Sequence, residues 1–575
     1  MEMQSSIAAG PPADPLTLLP PEIVLRILEF ASIATLAAAT RLSKAWHRFI
    51  DEHHSDAIYS TETKITRPGG AQDFSFLQGG NSFAKYFDGT TSWKDLCKRQ
   101  TLLPRNWDQA RPFTRESVLQ VGYSSVWRFR PDFKRRFFVS TSQSGGLNVT
   151  DMDTGRLLWR LPSTEEREHD AVRPWAHLEY QDGTAVWDSW GESVEVWKTD
   201  LEGLARGEFR KVAVLKHDCE TRGFQLSYDT LCVVSTEGKG FVYDMKTTPP
   251  GLKTRLETRD DAVGHLDQNQ DVVMYSFGTA GYHIHDKVSG KRLGILEPWH
   301  CETYYHINHP ATTAVPALDG RHGPTFQIFP PIAPSRDRLD PLKLERGPLP
   351  RASGELQTPV AEDEWGAGML SGDTMVGVSR YGRIFICRDW PSAIQGTAVN
   401  SFSYIVECDS DGAGFDFGGW LSVRNNRILF EIEHRIYVLA LTEDGWVQDV
   451  QHPQRASYSL LTSSAPQLAV PVSFMALYDD CIMNTYRTLG CRRRIAAEQG
   501  QQHGDDPARI FPVVAIRILS FAPDLDGTPE QPALWEAQAP ASEVGRAQTG
   551  LPQLDDEDED FGLEVADSGP GWISW

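Results

Sequence analysis

Period-two hydrophobic alternation returns along this chain at a nearly fixed interval, and no other feature constrains its fold as strongly. Beyond residue 120, hairpin signals follow one another: RRFFVSTSQSGGLNVTDMDTGRLLWRL, GTAVWDSWGESVEVWKTD, TLCVVSTEGKGFVYDMK, DVVMYSFGTAGYHIHDKVSGKRLGIL, TTAVPALDGRHGPTFQIFP, TMVGVSRYGRIFICRDW and RILFEIEHRIYVLAL. Each pairs two alternating runs across a Gly, Asp or Asn turn. Aligned on the end of the second run, they mark Thr150, Trp197, Tyr243, His285, Phe329, Cys387 and Leu439, at spacings of 47, 46, 42, 44, 58 and 52 residues. Four short strands with their turns consume about 40–45 residues in one blade of a β-propeller. A β-sandwich is the competing all-β arrangement, but sandwiches do not repeat seven times at one interval. PVSFMALYDDCIMNTYRTL and PVVAIRILSFAP, split by GCRRRIAAEQGQQHGDDPAR, supply a further unit, so this reading allows seven or eight blades.

Ahead of the repeats the period changes to that of a helix. In LPPEIVLRILEFASIATLAAATRLSKAWHRFI, residues 19–50, Pro20, Pro21 and Glu22 suit a helix start. Ile23, Ile27 and Phe30 then line one face, and Val24 and Leu28 extend it sideways. Ser32 and Ser43 are positioned to cap two further short helices, the second carrying Trp46, Phe49 and Ile50. Three short helices in about 40 residues fall near the limit of independent folding. Four apolar side chains left in water would forgo roughly 6–12 kcal/mol relative to burial, which points to a partner surface. A helical cap folded onto the downstream domain is the competing reading.

The pattern Leu19-Pro20-x-Glu22-Ile23, then Ile27-Leu28, Phe30, Leu36, and Leu42-Ser43-Lys44-x-Trp46 with Phe49-Ile50, resembles the F-box. That resemblance implies docking on the adaptor subunit of a cullin-based SCF ubiquitin ligase. Carried over, Leu19, Pro20, Ile23, Ile27 and Leu28 would contact the adaptor, while Phe30, Leu36, Leu42, Trp46 and Phe49 would form the motif's own core. The alanine-rich second helix (Ala34, Ala37, Ala38, Ala39) departs from the larger residues usual there. TSWKDLCKRQTLLPRNW looks like the helical connector of WD-type F-box proteins, and DMDTGRLL and DKVSGKRL resemble the end of a WD repeat. The expected organisation is a disordered segment at 1–15, the F-box at 16–55, a loop or linker at 56–90, a connector at 91–110, a propeller at 111–525 and a disordered acidic tail at 526–575. The fold class is then mainly β with a small α-helical N-terminal domain.

Composition narrows the function. The net charge is −22, and residues 551–575 hold eight acids with no base. Such a molecule does not attract phosphate as a whole, which argues against nucleic acid as a partner. No run of apolar residues is long enough to span a bilayer, and no membrane partner is expected. Residues 1–25 lack Lys and Arg, so a cytoplasmic or nuclear location is expected. The eight cysteines never form C-x-x-C and suit reduced thiols.

No nucleophile elbow, P-loop or HExxH is present, and an enzyme is disfavoured. His300, Cys301, His306 and His309 cluster in sequence, and His283 and His285 share a strand face, but neither set has metal-ligand spacing. Asp409 and Asp411 open a stretch like a calcium loop that lacks its later ligands. No metal and no cofactor are expected. Two insertions, 331–360 and 490–509, interrupt the repeats. Arg336, Arg338, Arg346 and Arg351 in the first are candidates for holding an acidic or phosphorylated target peptide. A solvated loop is the competing reading. The chain is expected to be the substrate-recognition subunit of the ligase, holding an adaptor, through it a cullin, and an unidentified target protein; the alternative is a scaffold without ubiquitin transfer.

Overall fold

The computed structural model describes residues 14–63, 73–77, 80, 82–122, 124–189, 192–258, 263–308, 339–350, 358–396, 399–410, 420–432, 435–448, 455–464, 468, 470–492 and 509–525. They form a β-propeller of seven sheets, antiparallel except where Tyr304–Asn308 pairs parallel with Ser403–Glu407, with a helical region before it. The first four blades are consecutive meanders, at 126–161, 178–216, 221–257 and 266–296. The fifth is built on 365–407 and the sixth on 421–461.

Chain termini of the ring share the seventh blade. Its inner three strands are Met475–Leu477, Cys481–Arg492 and Arg509–Ser520, and the strand Arg115–Leu119 from the start of the ring pairs antiparallel outside them. Closure therefore depends on residues some 400 positions apart, and it leaves no inter-blade edge open.

The hairpin turns follow local chemistry. Left-handed φ values at Tyr228 and Asp229, and at Asn425 and Asn426, give the two successive positive angles that a type I′ hairpin requires. Second and third strands are buried along their whole length, as in Val272–Ser276 and Arg383–Cys387, because each is sandwiched between neighbouring blades. Their near-continuous apolar sequence has that cause.

Blade number is settled by the inner strands. Leu266–Gln268 of the fourth blade packs directly on Trp365–Ser371 of the fifth, so no blade fits between them. Phe329, the marker of a separate unit, lies outside the described residues. The described parts around it, Tyr304–Asn308 and Lys343–Arg346, instead extend the fifth blade outward to six strands, and Asp340–Pro341 adds an edge to the sixth. The interval from His285 to Cys387, 102 residues, thus holds one blade boundary and an insertion on the outer rim. The second insertion is the excursion between the two long strands of the closing blade.

The stretch 56–90, expected as a loop or linker, is in part structured. It contains most of the helix Ser55–Glu62, and residues 82–84 are pinned to the closing blade: Asp480 accepts hydrogen bonds from Ser82 Oγ and from the Phe83 and Ala84 amides, each at 2.8 Å. The connector helix, Trp93–Trp107, ends in the same place. Asn106 donates to the Phe113 and Phe521 carbonyls, and Trp107 stacks on Phe521 with ring centroids 3.6 Å apart. Two separate attachments hold the helical region on one end of the ring.

Candidate functional site

Helices Pro21–Leu28 and Ile33–Ala39 and the turn Lys44–His47 fold as their caps dictate. Ser32 Oγ accepts from the Thr35 amide and Ser43 Oγ from the Trp46 amide, both at 3.2 Å. Beneath them Val24, Leu28, Leu36 and Ile50 pack with Ile58 and Tyr59 and with Trp93, Leu96 and Cys97 of the connector. The connector thus supplies the other half of a core that 40 residues could not enclose, and no partner is required for that half.

The opposite side is uncovered. Ile23 is 49% exposed, Ile27 53%, Phe30 80% and Leu42 71%, and Leu18, Leu19 and Pro20 are also exposed. Two assignments change accordingly. Leu28 points into the core and is unavailable to an adaptor, while Phe30 and Leu42 stand in solvent and do not form core. Leu36 is buried, and Trp46 and Phe49 are half-buried and pack against the same cluster. Ala34, Ala37 and Ala38 lie exposed on the second helix, whose single buried residue is Leu36.

Most of the basic insertion cannot be placed: Arg336, Arg338 and Arg351 lie outside the described residues. Arg346 is exposed at the end of the outermost strand of the fifth blade, on the rim and away from the central channel. His309 and Asp411 also lie outside the described residues. Among the described residues, no three His, Cys, Asp or Glu side chains converge as metal ligands would.

A second surface was not foreseen. Linker and connector attach at Asp479 and Asp480, the turn between the first two strands of the closing blade. In each antiparallel blade the beginning of the inner strand lies at the other end. That far mouth of the channel carries Arg128, His177, His265 and Trp420, with Trp175 as an exposed aromatic on the rim. Trp127 meets Trp175 edge-on at 4.8 Å.

Arg128 leaves the first blade and stacks over Trp420 of the sixth, 4.3 Å from the ring centre. Arg130 pairs with Glu179 and lies over Phe474 at 4.2 Å. His177 Nε2 sits 3.1 Å from the same carboxylate. Burial raises the Glu179 carboxyl, but Arg130 and His177 outweigh it and hold the group down to about 2. His177 is pushed down to about 3 and His265 to about 4, by burial and then by the Arg128 charge. Both imidazoles are neutral at pH 7, and Arg128, lowered to about 9 by burial and by Arg130, keeps its charge.

Comparison with known proteins matches the helices alone by sequence: residues 16–55 fit the F-box-like family. No curated protein sequence matches the chain. Among solved structures, the computationally designed Ika8 protein is 13% identical with a TM-score of 0.37, covering 64% of this chain and 95% of that one. The Cps50 (Swd1) β-propeller domain of Myceliophteria thermophila is 10% identical with a TM-score of 0.38, covering 71% and 99%.

Proposed function

We propose that this chain, an F-box-like domain joined to a seven-bladed propeller, is the substrate-recognition subunit of an SCF-type ubiquitin ligase. The observation that carries the reading is the uncovered row Ile23, Ile27 and Phe30 on a helical unit whose other side is already buried. The adaptor takes that row, and a cullin is reached through the adaptor. The target protein binds the propeller, whose far mouth points away from the helices.

The chain's contribution to ubiquitin transfer is proximity. It holds target lysines near a charged ubiquitin carrier supplied by other subunits and needs no nucleophile or base of its own. Proximity works only if the two binding surfaces keep a fixed separation. The double attachment through Asp480 and through Asn106 and Trp107 provides that rigidity.

The test is affinity purification of the full chain against its Ile23→Asp, Ile27→Asp variant, with mass spectrometry of what each retains. The variant is expected to lose adaptor and cullin while keeping target proteins, and those targets should accumulate when the chain is depleted. Adaptor capture without any stabilised target favours the scaffold reading.

A further inference from the structure

Two turns of the ring are built alike. DMDTGRLL, residues 151–158, and DKVSGKRL, residues 286–293, join the third and outer strands of the first and fourth blades. In each, the leading aspartate accepts from the amide three residues on, Thr154 to Asp151 Oδ1 and Ser289 to Asp286 Oδ1. The glycine amide returns to the aspartate carbonyl at 2.9 Å, and Gly155 and Gly290 hold φ at 70° and 71°. One extra residue then bulges the outer strand, Leu158 in the first blade and Leu293 in the fourth. The eight positions correspond one to one. Both turns lie at the end of the ring that carries the helices, because the turn after the third strand of an antiparallel blade shares its end with the turn after the first.

Their surroundings are opposite. In the first blade the chain itself covers the turn. Asp153 is held by Lys85 of the linker and by Arg136, and Arg206 donates to Asp151 at 2.6 Å. Leu158 lies under the next segment, where a Cβ at Gly207 would stand 3.0 Å from its Cδ1. In the fourth blade none of the described residues does the same. Val288, at the place of Asp153, is 86% exposed, and Leu293, at the place of Leu158, is also exposed. Tyr228 of the third blade widens this apolar surface, with the Lys287 ammonium 6.0 Å from its ring centre. Lys287 is spent on the Asn269 carbonyl and Asp286 on Ser289, while the exposed Asp271 lies beside Lys287. Lys291 and Arg292 are exposed and have no acidic partner among the described residues.

The first-blade turn presents acids and is filled by bases. The fourth-blade turn presents apolar side chains beside two free cations, so its complement carries carboxylates beside apolar side chains. A short protein segment fits that description better than an anionic membrane does. A flat membrane meets the summed field of a molecule of net charge −22, whereas a segment feels the charges within a Debye length of about 8 Å. The linker is attached at the first and seventh blades, each three blades away, so docking on the fourth displaces none of it.

We propose that the turn 286–293 of the fourth blade docks an acidic, apolar-rich segment of a partner protein, with Val288 and Leu293 as anchors and Lys291 and Arg292 pairing with its carboxylates. This surface is separate from the row Ile23, Ile27 and Phe30 and from the far mouth. Its test needs no ligase subunit, and its failure leaves adaptor docking untouched.

The test pans a displayed library of random peptides on the full chain and, in parallel, on its Val288→Asp, Leu293→Asp variant. Peptides recovered by the parent and not by the variant should be rich in Asp and Glu beside Leu, Ile or Phe. A synthetic copy of one should bind the Lys291→Glu, Arg292→Glu chain at least about tenfold more weakly than the parent. Its affinity for the parent should fall between roughly 50 and 300 mM salt. Leu157→Asp, at the exposed place in the first-blade turn that corresponds to Arg292, should leave binding unchanged. Every substituted position is exposed, so the melting temperatures should agree. Recovery of no Val288-dependent peptide, or of basic or uncharged ones, overturns the proposal, as does full affinity in the Lys291→Glu, Arg292→Glu chain. Val288-dependent sedimentation with phosphatidylcholine–phosphatidylserine vesicles, in place of peptide binding, makes the patch a membrane contact and overturns it too.

Discussion

Ile27 and Leu28 are consecutive residues of one helix with opposite fates: Ile27 is 53% exposed and Leu28 is 6% exposed. The boundary between dock and core runs between them. Ile23→Asp with Ile27→Asp should therefore remove adaptor capture while leaving the melting temperature unchanged. Leu28→Ala should do the reverse, lowering stability by about 2–4 kcal/mol in denaturant unfolding while the exposed row persists. Phe30→Asp and Leu42→Asp belong with the first pair. An adaptor that co-purifies undiminished with the double variant removes the docking assignment.

Closure of the ring rests on a buried ion pair between its two ends, Arg517 Nε to Glu116 at 2.6 Å. Arg517 also donates to the Leu461 carbonyl, so it bridges the closing blade to the sixth. Removing the cation alone, as Arg517→Leu, leaves a carboxylate buried and should cost about 3–5 kcal/mol. Glu116→Leu with Arg517→Leu should recover most of that loss. Urea unfolding of the three variants measures it; a double variant as weak as the single one shows that the pair is not the cause.

The helix register, the two serine caps and the repeat were legible because each is written in nearby residues. The exchange of roles between Leu28 and Phe30 was not, because both are apolar and the connector that covers one of them arrives some sixty residues later. The strands flanking Phe329 gave no sign of their pairing for a related reason. Tyr304–Asn308 lies between Ser403–Glu407 and the outermost strand Lys343–Arg346, and only pairing shows that both extend an existing sheet. The far mouth had no local signal at all. Arg128 sits in the ordinary strand Val126–Asp132, and ring closure alone brings it to Trp420.

Contact between the fourth and fifth blades turns on Tyr282, fully buried, whose ring lies against Gly368 and Gly377 and whose hydroxyl donates to the Ala367 carbonyl. A Cβ at Gly368 would come within 2.6 Å of a Tyr282 ring carbon, and one at Gly377 would meet the hydroxyl. Gly377→Ala should therefore destabilise by about 1–3 kcal/mol through overpacking. Combined with Tyr282→Leu, which withdraws the ring, the loss should fall short of the two single losses added together by about 1–2 kcal/mol. Additive losses in thermal unfolding show that the ring is not what excludes the methyl.

Asp267 gives the channel a pH dependence of definite sign. Burial pushes its carboxyl from 3.8 up to about 6, against the opposing hydrogen bonds from the Leu370 amide and Gln225. Between those values the folded chain holds a proton that the unfolded chain has released. The stabilisation is complete below about pH 4 and is lost as pH rises through about 6, a change of up to about 3 kcal/mol. Asp267→Asn removes the titration. It also offers an N–H to Gln225 Oε1, a buried atom with no partner among the described residues. The variant should match the parent near pH 4 and exceed it at pH 7.5, measured as urea midpoints across that range. Parallel curves for the two proteins defeat the assignment.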